Sequence, residues 1–94
     1  MASRRYLKKE IDYLIGEVIG DAQLSLYFSP EQKREQIIAV VEEAIVLRND
    51  LFARIKPEEK NNASLVRKHY AAIRNDMMVG VDGLFEKLSA IAKG

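Results

Sequence analysis

The sequence predicts an all-α fold: an antiparallel up-down-up three-helix bundle with long helices, completed by dimerisation. Three observations lead there. Apolar residues recur at spacings of three and four through three long stretches, which is the period of one face of a helix and not of a strand. Both prolines of the chain stand at the borders between those stretches. The connections left over are short, and short connections make successive helices antiparallel neighbours.

The first stretch, about residues 3–28, carries Leu7, Ile11, Leu14, Ile15, Val18, Ile19 and Ala22 on one side of a helix. It gives way to Ser29-Pro30-Glu31-Gln32. There a hydroxyl is offered as an N-cap, a proline sits where its missing N–H costs nothing, and Gln32 stands three residues on to complete a capping box. The second helix, about 30–55, repeats the pattern with Ile37, Val41, Ala44, Ile45, Leu51, Phe52 and Ile55. Lys56-Pro57 ends it, because proline disfavours helical geometry in the residue before it and has no N–H to donate. The polar run Glu58 to Asn62 is the second connection, with Asn62 or Ser64 as the cap of the third helix. That helix, about 63–92, places Val66, Tyr70, Ile73, Met77, Gly80, Leu84, Lys87 and Ile91 in a four-three alternation near the heptad geometry of coiled coils, broken only by the glycine and the lysine and widened by Phe85 and Leu88. Helices of this size run roughly 38 to 45 Å at 1.5 Å per residue, so the expected shape is a rod.

One domain over residues 1–94 is expected, since 94 residues leave no room for a second core. With 48% hydrophobic and 31% charged residues the balance is that of a folded globular chain. A chain this short removes only about 60 to 65% of its unfolded surface on folding, so surface shared with a second copy adds to stability. The absence of cysteine excludes disulfides and thiolate metal sites. Glu10, Asp12 and Glu17 interrupt the apolar positions behind the basic start, and no stretch nears the roughly 20 apolar residues of a membrane span. The expectation is a cytoplasmic protein without leader or membrane segment. A net charge of +1 points the molecule as a whole to neither nucleic acid nor membrane.

No catalytic constellation is visible. His69 is the one histidine, and Val66 stands three residues before it, where a Glu-x-x-His metal motif needs glutamate. It falls on the flank of the third apolar stripe, the ordinary place for a histidine bonded to a neighbour. Without cysteine, nucleophilic chemistry would need this histidine to serve Ser3, Ser25, Ser29, Ser64 or Ser89, two of which have capping roles. The five glycines form neither a phosphate loop nor a dinucleotide fingerprint, as no strand precedes them. Glu42 and Glu43 are adjacent and face different ways. No enzyme activity, metal or cofactor is expected. Arg48-Asn49-Asp50 and Arg74-Asn75-Asp76 echo each other without similarity on either side, as chance produces.

The first helix is unusual on the side away from its core stripe. Tyr6, Tyr13, Gly16, Gly20, Leu24 and Tyr27 gather there within about 80° of arc, with Lys9 and Gln23 almost the only polar company. An exposed face is ordinarily rich in Lys, Glu and Asp. Each glycine costs about 1 kcal/mol of helix propensity against alanine, a cost that close approach of another backbone would explain. Tyrosine is enriched at interfaces for its apolar body and wet end. These six residues are therefore the candidate interface, with a homodimer as the simplest assembly and a partner protein's helix as the alternative occupant.

Arg48 falls by helical angle among Ala44, Leu51 and Phe52, and an antiparallel hairpin sets it beside Glu10 and near Asp12. A register-fixing Arg–carboxylate pair is expected, with anion binding as the other reading. Charge is also divided along the rod, one end net basic and the other net acidic. Arg4, Arg5, Lys8, Lys9, Arg54 and Lys56 are the candidate anion-binding set, through which nucleic acid or another phosphate would be held. No aromatic-interleaved basic stripe of the kind found on nucleic-acid surfaces accompanies them. The functional expectation is a non-catalytic interaction or assembly protein that self-associates through helix one, and the alternative is anion or nucleic-acid binding at the basic end.

Overall fold

The computed structural model describes residues 4–55 and 63–94. They form three α-helices, α1 (Arg4–Phe28), α2 (Arg34–Ala53) and α3 (Ala63–Lys93), with a 3-10 turn at Glu31–Lys33 and no strand among the described residues. Each helix packs against the other two in a rod of 53 × 18 × 18 Å. No helix among the described residues is long and apolar enough to cross a membrane.

The core is wholly apolar. Leu7, Ile11, Ile15, Val18 and Ala22 of α1 meet Ile37, Val40, Ala44 and Leu51 of α2, Ile55 just beyond it, and Ile73, Met77, Val81, Leu84 and Leu88 of α3. Each large member contributes roughly 1.5–3 kcal/mol through burial. Among the described residues no polar or charged residue is buried.

The helix starts and stops differ from expectation in a consistent way. Ser29 and Gln32 form no capping box: Pro30, extended at φ −62° and ψ 155°, takes the cap position itself, and no side chain caps the turn. Proline has no side-chain acceptor, so the chain closes as a 3-10 turn in which the Lys33 N–H donates to the Pro30 carbonyl at 3.0 Å. α2 then starts at Arg34 and stops at Ala53, where the Arg54 N–H is shared among the Asp50, Leu51 and Phe52 carbonyls. The helix thus ends before Lys56-Pro57, which lies outside the described residues, as does Asn62. Ser64 falls within α3, one residue after its start.

Two core assignments are corrected. In α2 the buried line runs Ile37, Val40, Ala44 and Leu51, so Val40 is 2% exposed whereas Ile45 is 45% exposed. Val41 and Ile45 form a second apolar strip one residue round the helix. In α3 the four-three pattern breaks at Gly80 and Lys87 as expected and Leu88 is buried with the stripe, but Val81, which the pattern left out, is buried as well. The buried residues step by four, four, three and four in α3, and by the same sequence in α1 from Leu7 to Ala22. Three steps covering eleven residues average about 3.67, close to the natural 3.6 of a helix, so these helices need none of the left-handed supercoiling that a seven-residue repeat imposes.

Charged pairs on the rim of this core tie the helices together. Asp12 accepts from Arg48 Nε at 2.7 Å and Glu10 accepts from Arg74 Nε at 3.2 Å, so two neighbouring acids of α1 are held from both sides. Arg54 meets Asp76 at 2.8 Å, and Lys87 meets Glu43 at 2.6 Å. At the far end the Lys33 ammonium donates to the Ala92 carbonyl at 3.3 Å.

Candidate functional site

The outer face of α1 is displayed, not covered, within the subunit. Tyr13 is 67% exposed and Tyr27 82%, and Tyr6 and Leu24 are exposed as well. Phe28, absent from the expected set, joins them and meets the Tyr27 ring edge to face at 5.0 Å between centroids. Gly16 is exposed and Gly20 half-buried. A Cβ built on either would find no atom within 4 Å, so no close backbone approach inside the subunit accounts for them. Gly80 is the contrasting case, since a Cβ there would stand 2.7 Å from a Leu47 methyl.

The other two helices extend this face on both flanks. On α3, Phe85 lines an open groove of about 390 Å³ with Gly16, Glu17, Gly20, Asp21 and Leu24. The exposed Met78 stands seven residues before Phe85 and so shares its side of α3, the side on which Arg74 reaches Glu10. On α2, Ile38, Ile45 and Phe52 form one line at intervals of seven, and the Lys8 ammonium of α1 lies 6.0 Å over the Phe52 ring. Ile38 and Ile45 are exposed. Most of the exposed large apolar residues therefore belong to one surface centred on α1, with Val46, Leu65 and Val79 lying apart from it. Helical angle alone revealed its middle, whereas its flanks needed the register between helices.

The basic set is divided by the structure. Arg4, Arg5, Lys8 and Lys9 are exposed together on the first turns of α1. Arg54 is committed to Asp76, and Lys56 lies outside the described residues. Arg48 is half-exposed, bonded to Asp12, with its guanidinium 4.2 Å over the Phe52 ring. Of the two expected acids it takes Asp12, because Glu10 is held by Arg74. The repeated Arg-Asn-Asp triplets thus each supply the arginine that grips α1. His69 is half-buried, its Nε2–H donating to the Arg54 carbonyl beyond the end of α2. That bond serves the otherwise open end of a helix. Among the described residues no three His, Asp or Glu side chains converge as metal ligands.

A second groove, about 370 Å³, lies between α2 and α3 over Val40, Ala90 and Ile91, and the Lys87–Glu43 pair borders it. Gln36 and Ala39 complete its lining. No protein-family model matches the chain, and no curated protein and no solved structure matches it.

Proposed function

We propose that this chain is a non-catalytic interaction protein, an up-down-up bundle that self-associates as a homodimer through the outer face of α1. The up-down-up order is supported by the pairs themselves: Asp12 with Arg48 and the start of α2 with the end of α3 are what antiparallel neighbours require. The observation that carries the self-association is the exposed apolar line Tyr13, Leu24, Tyr27 and Phe28 around two glycines whose open sides touch nothing. Water covers that surface poorly, and a self-complementary patch needs only one evolved face to close a dimer.

Sedimentation at micromolar concentration tests this. The wild type should run as a dimer and Gly20→Arg as a folded, helical monomer, because the substituted residue points away from its own core. A wild-type monomer, or a dimer indifferent to the arginine, overturns the proposal. The second reading, phosphate binding, rests on Arg4, Arg5, Lys8 and Lys9, which make no ion pair among the described residues. It predicts retention on a phosphate-rich matrix that salt abolishes.

A further inference from the structure

From the charges on either side of the α1 face we infer that the second copy seats over the seam between α1 and α2, on Ile38 and Ile45, and leaves the groove between α1 and α3 outside the contact. The inference rests on the self-association proposed above and adds which flank of the face takes part. Two lines of residues at intervals of seven mark the flanks of α1. Asp12, Ile19 and Leu26 lie toward α2, where Asp12 meets Arg48. Glu10, Glu17 and Leu24 lie toward α3, where Glu10 meets Arg74.

The two flanks are alike in apolar surface and unlike in charge. Ile45 on α2 and Met78 on α3 are exposed almost equally, at 45% and 47%. Between Lys8 at one end and Arg34 at the other, the charged residues of the α2 seam are Asp12 and Arg48, which neutralise each other. The α3 groove is lined by Glu17 and Asp21, and neither has an ion-pair partner among the described residues. Glu42 and Asp82 do not distinguish the flanks. Each stands at the outer border of its own side, four residues after one apolar residue, Ile38 or Met78, and three before the next, Ile45 or Phe85.

A two-fold pair counts every such difference in both subunits. Closing over the groove takes two unpaired carboxylates of each copy out of water, and a charge buried without a partner is costly. The seam makes no such demand. Its one ion pair is complete within the subunit, and its exposed isoleucines gain by being covered.

Ile45 and Met78 therefore serve as matched probes on opposite flanks. In sedimentation Ile45→Lys should weaken the dimer at least about tenfold, because the ammonium enters the contact. Met78→Lys should change it by less than about twofold, as exposed substitutions usually do. Both variants should stay as helical as the wild type by circular dichroism, since both side chains face solvent within the subunit. The chain has no cysteine, so Ile38→Cys and Met78→Cys each add a single thiol and disturb packing little. At dimer-forming concentration the thiol at position 38 should be alkylated at least about fivefold more slowly than in the diluted monomer, and the thiol at position 78 at one rate in both. Protection at position 78, equal weakening by the two lysines, or a dimer indifferent to Ile45→Lys overturns the seating on α2 and leaves the self-association standing. A wild type that stays monomeric overturns both.

Discussion

On α1 the inward and outward faces are both apolar but in opposite circumstances. Leu7, Ile11, Ile15, Val18 and Ala22 point inward and are buried to the last few per cent, and side chains of two other helices fill the space around them. Tyr13, Leu24, Tyr27 and Phe28 point outward and stay mostly exposed, beside glycines with open space above them. The first group consists of aliphatic residues without a polar atom, as a dry core needs. The second is rich in tyrosine, which tolerates water until something covers it. The difference separates what folds this subunit from what a second surface would use.

The largest expected effect lies on the inward face. Ile11→Ala removes a fully buried side chain of the three-helix core and should cost about 3 kcal/mol, a large share of the stability of a domain this small. Tyr13→Ala, two residues on, should change subunit stability by less than about 0.5 kcal/mol, as exposed substitutions usually do. Urea unfolding of both variants at sub-dimer concentration measures the contrast. Equal losses would mean that the outer face also holds the subunit together.

The glycines sharpen the same contrast. Gly80→Ala gains about 1 kcal/mol of helix propensity but must push the half-exposed Leu47 methyls aside, so its net gain should be smaller than that of Gly20→Ala. Gly20→Ala meets nothing within the subunit and should gain close to the full propensity difference of about 1 kcal/mol. In the proposed dimer the same methyl group would stand on the contact face and should loosen association. Monomer stability and dimer affinity should therefore move in opposite directions for one substitution. If Gly80→Ala stabilises as much as Gly20→Ala does, Leu47 is not the neighbour that matters.

How much of this was legible in the sequence depends on how many apolar strips each helix carries. In α1 every buried residue was readable, because Tyr and Gly mark the opposite face and leave a single aliphatic stripe. In α2 two aliphatic strips lie side by side, Val40 with Ala44 and Val41 with Ile45, and spacing cannot choose between them. Only packing against α1 and α3 does. In α3 a four-three count broke at Gly80 and Lys87 and took in Leu88 but missed Val81, because a helix with little supercoiling advances its stripe by one residue there. The flanking residues Ile38, Met78 and Phe85 were illegible as part of the α1 surface for a different reason. Each sits on another helix, and its nearness to α1 depends on interhelical register, which the Arg48–Asp12 and Arg74–Glu10 pairs report.

The smallest expected effect lies on the seam between the two faces, at Arg48. Its guanidinium is bonded to Asp12 and lies over Phe52, so two interactions would be lost together in Arg48→Met. Both partners are substantially exposed, with side chains at 38% and 52%, and an exposed ion pair contributes about 0–1 kcal/mol at most. Methionine keeps the unbranched stem and packs on the Phe52 ring through its sulfur, offsetting part of the lost stacking. Asp12, left alone, reaches water and carries no burial penalty, unlike a carboxylate stranded in a core, where the loss would be about 3–5 kcal/mol. The expected change is below about 1 kcal/mol, and it should shrink further in high salt as the pair is screened. Denaturant unfolding of the wild type and Arg48→Met at two ionic strengths reads this directly. A loss of several kcal/mol that salt leaves untouched would place Arg48 with the inward face, as a member of the core and not of its rim.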